Sequence, residues 1–218
     1  MNEEDIVETH NLCGVEFNVY NGPNAISVSG GADSALLLYF LLKYSKDRLH
    51  IFTLADGTKQ ITGAKSAVNV VYKCAQLTGN YNFEHHIDYS PDFIDTYIER
   101  LPFEYLDKKE FNVLYAGITN LPPKIDRISF SEDFYHEMRN PDENRDVFRY
   151  GFSYIPWTNI DKKKIAEIYK EYNLLDSLFP ITRSCEWNEI IGGQSPGMEH
   201  CGDCWWCNER QWAFGRLK

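Results

Sequence analysis

The chain has 218 residues, 43% of them hydrophobic and 15% aromatic, and carries a net charge of −10 from 22 basic and 32 acidic residues. That size suits one α/β domain, or one domain with a small appendage, and the composition supplies a sizeable core built partly of rings. The acidic balance opposes a nucleic-acid partner, the lack of a long uncharged apolar run opposes a membrane span, and the acidic start Met1-Asn2-Glu3-Glu4-Asp5 is unlike a signal peptide, so a cytoplasmic protein is expected.

In chain order, Val15–Tyr20 alternates and is expected to be a strand, Asn21–Asn24 a turn and Ala25–Ser29 a second strand. The apolar run from Ala35 to Leu42 predicts a helix over Ser34–Tyr44. Leu49–Leu54 reads as a buried strand, Ala64–Leu77 as a helix stopped by Gly79, and Phe83–Ile87 as a short strand. Phe93–Leu106 is expected to be helical with an interruption at Pro102, and Phe111–Ala116 to be a strand. This alternation predicts a parallel sheet with crossover helices. Residues 119–150, with Pro122, Pro123, Pro141 and many charges, predict a long excursion holding one short helix near Ser131–Met138. Phe152–Ile155 is a further strand, Asp161 caps a helix running to about Tyr172, and a last short helix surrounds Ala213.

The string Ser29-Gly30-Gly31-Ala32-Asp33-Ser34 lies between a strand and a helix start. Adjacent glycines let backbone N–H groups converge, and the new helix adds its unpaired N–H groups and the positive end of its dipole. Such a site attracts phosphate, and Asp33 offers a carboxylate to the magnesium that phosphates share. The spacing differs from the longer Gly-x-x-x-x-Gly-Lys-Ser/Thr loop. Without its context the string would be an ordinary polar turn capped by Ser34.

Six cysteines are present, and four fall near the C-terminus: Cys185, then Cys201, Cys204 and Cys207 as a doubled Cys-x-x-Cys. Four thiolates at tetrahedral angles suit one zinc ion whose role is structural, because no position remains for water. An iron–sulfur cluster is the chemical rival, and buried or redox thiols are the plainer alternative. Cys13 and Cys74 read as ordinary core or surface residues. Lys162-Lys163-Lys164 is the only basic run, either a solvated helix start or a phosphate contact.

The Ser29–Ser34 string resembles the pyrophosphate loop of the N-type ATP pyrophosphatases, the family of GMP synthetase, NAD synthetase and tRNA thiolation enzymes. Thr182-Arg183-Ser184-Cys185, the run from Cys201 to Cys207 with Arg210 and Phe214, and Pro156 with Ile160, Lys162 and Ile165 are similar to segments of its 7-cyano-7-deazaguanine synthase branch. Tyr115-Ala116-Gly117 is similar to that branch's strand end, and Gly57 with Lys59 matches loosely. The chain departs at Ile118–Pro123, where the branch carries an aspartate and a Tyr-Pro-Asp-Cys string, and in the longer loop Glu186–His200.

The resemblance implies a Rossmann-like, adenine nucleotide hydrolase-like ATP domain over residues 1–180 and a four-cysteine zinc segment over 181–218 packed on it. It implies ATP with magnesium held by Ser29, Gly30, Gly31, Ala32, Asp33 and Ser34, with Thr53, Leu54 and Ala55 at the adenine and Gly117 and Arg183 nearby. Asp33, Ser34 and Lys162 would carry the chemistry. A small carboxylate, 7-carboxy-7-deazaguanine in that branch, would be adenylated, and ammonia would displace AMP to give an amide and then a nitrile. Gly117, the loop after it and Trp205-Trp206 would border the substrate, unless the tryptophans only cover the zinc. A different carboxylate, tRNA thiolation and a non-catalytic zinc-stabilised nucleotide module are the alternatives, and a homodimer is left open.

Overall fold

The structure, a computed structural model, describes residues 5–56, 61–90, 97–127, 130, 139–185 and 200–218. The predicted helix at Ser131–Met138, the pair Gly57 and Lys59, and nearly all of the Glu186–His200 loop lie outside these residues.

The chain opens with an antiparallel ribbon of β1 (Ile6–Leu12) and β2 (Val15–Tyr20). Its turn places Cys13 at φ 54° and Gly14 at φ 87°, the left-handed pair that suits the twist of a two-residue hairpin. β1 has no counterpart in the sequence reading. Its Glu8, Thr9 and Asn11 are exposed, so it lacks the alternating apolar face by which a strand is read.

A six-stranded sheet forms the centre, in the order β5 (Phe83–Ser90), β4 (Leu49–Asp56), β3 (Asn24–Ser27), β6 (Val113–Ala116), β8 (Ser153–Tyr154), β7 (Phe148–Arg149). All its pairs are parallel except β7 with β8. Among the described residues five helices accompany it: α1 (Ala32–Tyr44), α2 (Ile61–Thr78), α3 (Tyr97–Asp107), α4 (Lys162–Glu171) and α5 (Trp205–Phe214). The expected α/β class with a mostly parallel sheet is therefore the observed one. α3 continues through Pro102 instead of stopping there, which leaves the carbonyl four residues earlier without its helical donor.

Burial explains the arrangement. α1 buries Ala35, Leu36, Leu37, Leu38, Phe40, Leu41 and Leu42, so it is apolar around most of its circumference and packs between α2, α4 and β6. The rings join the ribbon to the sheet. Tyr115 on β6 accepts the Tyr20 N–H through its hydroxyl at 3.1 Å and donates to the Asn18 carbonyl at 3.0 Å, while the Tyr154 hydroxyl on β8 accepts the Asn18 N–H at 3.0 Å. Side-chain hydroxyls thus satisfy backbone groups of β2 that no third strand pairs. At the other edge, burial lowers the pKa of His50 on β4 and His86 on β5, which keeps both rings neutral at neutral pH. No helix among the described residues is long and apolar enough to cross a membrane.

The topology fixes where a ligand can bind. From β3 the chain moves outward to β4 and β5, then crosses back to β6 on the other side. A sheet that reverses in this way opens a crevice at the carboxyl ends of the two central strands. The loop after β3 and Gly117 after β6 both sit there. A Cβ at Gly117 would lie 2.8 Å from the Ser34 nitrogen and 2.9 Å from Ser34 Cα and the Asp33 carbonyl carbon, so β6 runs directly against the start of α1. Gly117→Ala is expected to lower stability by about 1–3 kcal/mol through this backbone overlap. Urea unfolding checks it, and a wild-type midpoint would show that β6 can move off α1.

Candidate active site

β3 ends at Ser27 and α1 begins at Ala32, so four residues make the crossing. Gly30 takes φ 84°, where a side chain would be strained. Gly31 caps α1 in an extended conformation and makes no side-chain bond to the first helical N–H groups. Those groups have no intrahelical acceptor, and with the helix dipole they form an anion site. The serines organise the loop from within. Ser29 Oγ and Ser34 Oγ are 3.2 Å apart, the Gly31 N–H donates to Ser29 Oγ at 3.3 Å, and Ser34 Oγ donates to the Gly31 carbonyl at 3.3 Å. From outside, the Arg183 N–H donates to the Gly30 carbonyl at 2.8 Å and the Tyr169 hydroxyl donates to the Ala32 carbonyl at 2.8 Å. Arg183 therefore meets the loop through its backbone.

Asp33, in the first turn of α1, enters a buried cluster of four charges. Its Oδ2 is 3.5 Å from Lys162 Nζ and accepts from the Thr119 hydroxyl at 3.5 Å. Lys162 Nζ lies 2.8 Å from Glu209 Oε2, and Arg139 pairs with Glu209 Oε1. Arg139 also donates through Nε to the Thr119 carbonyl at 2.7 Å. Trp206 presents its ring to Lys162 at 5.7 Å and Arg139 at 5.5 Å. Asp161 sets the direction of Lys162 by capping α4: its carboxylate accepts the N–H groups of Lys163 and Lys164.

Burial raises the Asp33 pKa, with Lys162 pulling it down and Glu209 pushing it up. Burial would also raise Glu209, but Lys162 and Arg139 together hold its carboxyl below the usual range. Asp33 Oδ1 is buried and has no hydrogen-bond partner among the described residues. An orphaned carboxylate oxygen beside phosphate donors is a fitting ligand for a hard divalent cation. Asp33 and Lys162 were legible from the sequence, whereas Arg139 and Glu209 were not. Neither belongs to a motif, and only the fold brings them within reach of Lys162.

A cavity of about 640 Å³ opens beside the loop. Ser29 and Ser34 stand at its polar end, while Leu54, Phe103, Ala116 and Phe152 supply apolar wall. Phe103 meets Phe152 edge-on with centroids 5.4 Å apart. Gly117 lines it as well. Thr53 is buried instead: its Oγ1 donates to the Val28 carbonyl at 3.0 Å and lies 2.9 Å from His85 Nε2, fastening β4 to its neighbours. Ala55 follows in β4 towards the same end of the sheet. Trp205 and Trp206 are not among the lining residues, and Trp205 is buried edge-on to Phe130 at 4.8 Å.

The four C-terminal cysteines converge, with all Sγ atoms within 4.8 Å of one another. Cys201 and Cys207 sulfurs are 3.8 Å apart, and Cys185 and Cys204 sulfurs 3.9 Å. A tetrahedron with metal–sulfur bonds of about 2.3 Å has edges of about 3.8 Å. The donor set therefore fits a single ion of zinc's size. Hydrogen bonding to Cys185 pushes the Cys204 thiol up to about 12, so this sulfur resists ionising without a cation beside it. His200 Nδ1 lies 3.8 Å from Cys207 Sγ, next to this set.

No family model and no curated protein matches the chain. Among solved structures, the U34-tRNA thiolase NcsA from Methanococcus maripaludis, with its 4Fe-4S cluster, is 14% identical with a TM-score of 0.45, over 71% of this chain and 57% of that one. This chain thus spans little more than half the thiolase's length. NMN synthetase from Francisella tularensis is 12% identical at TM-score 0.43, covering 83% of this chain and 69% of that one. NH3-dependent NAD synthetase from Campylobacter jejuni is 16% identical at TM-score 0.43, covering 72% and 66%.

The charge cluster generates a pH-dependent stability. A lowered carboxyl pKa gives Glu209 a stabilisation that is present above its unfolded value of 4.5 and lost as pH falls through the folded value. Asp33, raised from 3.8, has the opposite sign: its contribution is full below that value and lost as pH rises through the folded one. Glu209→Gln removes the carboxylate that Lys162 and Arg139 share, leaves the buried cluster with one uncompensated positive charge, and is expected to cost roughly 3–5 kcal/mol at neutral pH. The deficit should shrink at acid pH as the wild-type carboxyl itself protonates. Denaturant titrations across this range check both the size and the slope.

Proposed function

We propose that the chain is an ATP-dependent ligase of the N-type ATP pyrophosphatase kind, which adenylates a small carboxylate and passes it to ammonia. The observation that carries this reading is the bare Asp33 Oδ1 in the first turn of the helix after an anion-binding loop, at the reversal point of the sheet, with Ser29 and Ser34 of the same loop lining the cavity. The loop N–H groups of residues 30–34 would receive the β- and γ-phosphates, and Asp33 would hold magnesium, which neutralises charge on the departing pyrophosphate. Lys162 holds Asp33 in place through the 3.5 Å contact. Leu54 and the backbone near Ala55 would meet the adenine at the strand ends.

In the reaction, a substrate carboxylate oxygen bonds to the α-phosphorus and the bond to the bridging oxygen breaks, releasing pyrophosphate. Ammonia then attacks the acyl carbon, loses a proton, and AMP departs with the electrons of the C–O bond. We assign the substrate to flat heterocyclic carboxylates, with 7-carboxy-7-deazaguanine as the specific choice and the nitrile, formed by a second activation, as product. The apolar wall with Phe103 and Phe152 supports a flat ring, since base–aromatic contacts contribute roughly 1–3 kcal/mol each. Zinc, one per chain and structural, is favoured over a polynuclear cluster because cluster thiolates sit on different irons and so lie farther apart than 3.8 Å.

Full-length protein incubated with ATP, magnesium, ammonium and 7-carboxy-7-deazaguanine should release AMP and pyrophosphate in equal amounts and form the amide or nitrile mass. Asp33→Ala should reduce pyrophosphate release by roughly a hundredfold or more. ATP binding without AMP formation would reduce the protein to a nucleotide module, and AMP formation only with another carboxylate would move the substrate. Separately, elemental analysis should find one zinc in the four-cysteine site, and Cys204→Ser should lose it and melt at lower temperature, because structural metal couples its binding to folding. Iron with labile sulfide would overturn the zinc assignment.

A further inference from the structure

The opposite end of the sheet holds a second convergent donor set. His50 is the second residue of β4, and parallel pairing sets Glu84 on β5 beside it and His86 two residues on. His50 Nδ1 and His86 Nε2 are 3.2 Å apart. Glu84 Oε2 stands 3.7 Å from the first and 3.8 Å from the second. Two of the outward atoms are engaged elsewhere. Tyr105 on α3 places its hydroxyl 3.3 Å from His86 Nδ1, and Arg48 forms an ion pair with Glu84 Oε1. The rings are fixed further by Phe52, whose centroid lies 5.0 Å from that of His86.

We propose that His50 Nδ1, His86 Nε2 and Glu84 Oε2 bind a divalent transition-metal ion of the zinc class at the β4–β5 edge. Three ligands with bonds of about 2.1 Å at tetrahedral angles would lie about 3.4 Å from one another. The observed 3.2, 3.7 and 3.8 Å bracket that value. The carboxylate distances are informative because 3.7 Å is too long for a hydrogen bond yet suits two ligands across an ion. Imidazole with carboxylate selects zinc and its first-row neighbours over calcium or magnesium. The partners on His86 Nδ1 and Glu84 Oε1 are the outer contacts that orient metal ligands. Glu84 is partly exposed, which gives the ion a route in from solvent and leaves a coordination position for water. A hydrogen bond between neutral rings would explain the 3.2 Å contact, and the Arg48 ion pair holds Glu84 Oε1, but neither accounts for Oε2 standing almost equally far from both ring nitrogens.

The site stands behind the cavity wall: Phe52, whose ring packs on His86, lines the cavity, as does Leu54 two residues further along β4. Its consequence is structural: Tyr105 belongs to the same helix as Phe103, so an ion on His86 braces the α3 wall of the cavity against β5.

The test uses the full chain with its four-cysteine site already loaded with zinc, titrated with cobalt(II). We expect one further equivalent to bind, with d–d absorption but no thiolate-to-cobalt charge transfer. Glu84→Gln should weaken this binding at least tenfold and His86→Gln abolish it, both retaining the cysteine-bound zinc. Tyr105→Phe should weaken it by roughly tenfold. Should His86→Gln fail to fold, ring resonances of His50 and His86 in the wild type must still broaden with cobalt. No further equivalent, unbroadened rings, or unchanged affinity in Glu84→Gln would each overturn the proposal.

Discussion

Glu209 is fully buried between Lys162 and Arg139, and a carboxylate in that position must be paired. Removing water from one such charge costs several kcal/mol, and only partners in good geometry offset it. Here the partners come from α4 and from the segment before β7, and Lys162 continues the pairing to Asp33 on α1. Two acids and two bases from distant parts of the chain neutralise one another only when all are in place. The cluster therefore ties the phosphate-type loop to the C-terminal helix. A local error in either would leave an unpaired charge inside the protein.

The cysteine cluster reinforces the same link. Cys204 is the N-cap of α5, Cys207 lies in its first turn, and Glu209 follows two residues later. Cys185 stands two residues after Arg183, whose N–H holds the Gly30 carbonyl. An ion on the four sulfurs would hold both ends at once: residues 183–185 against the loop, and α5 in the rotation that aims Glu209 at Lys162. Arg210, the next residue, points elsewhere. Its guanidinium stacks 3.7 Å over Phe179 and donates to the Thr182 hydroxyl and the Phe179 and Leu217 carbonyls. Adjacent residues of one helix thus carry opposite tasks, one electrostatic within the site and one fastening the cover to the core.

The parts that the sequence reveals are those with local causes. The glycine pair before an apolar run marks the loop, the cysteine spacing marks the metal-type cluster, and Asp161 marks the start of α4 at its observed place. Periodicity places most central strands and helices within a few residues. What stays hidden depends on the assembled fold. β1 is a polar ribbon strand with no buried stripe to read. Pro102 was expected to interrupt a helix, but packing against the sheet carries α3 past it. Thr53 sits at the predicted adenine position in sequence, yet the alternation of β4 turns its hydroxyl towards Val28 and His85. Arg139, Glu209 and the His50–Glu84–His86 group have no signature, because their meaning lies in which elements become neighbours.

The balance of charge at the site constrains how a triphosphate could enter it. Asp33 and Glu209 are matched by Lys162 and Arg139, so the cluster offers no surplus positive charge to an anion with several negative charges. The neutral donors of the loop can orient phosphates, but hydrogen bonds from N–H groups do not cancel their net charge. Burial already makes the ionised form of Asp33 unfavourable, and Glu209 adds to that. A hard dication at Oδ1 would relieve both strains together, since it favours the ionised carboxylate and brings the positive charge that the phosphates lack. On the proposed reading, metal and nucleotide are therefore coupled ligands: each is poorly accommodated alone, and the site becomes electrostatically complete only with both.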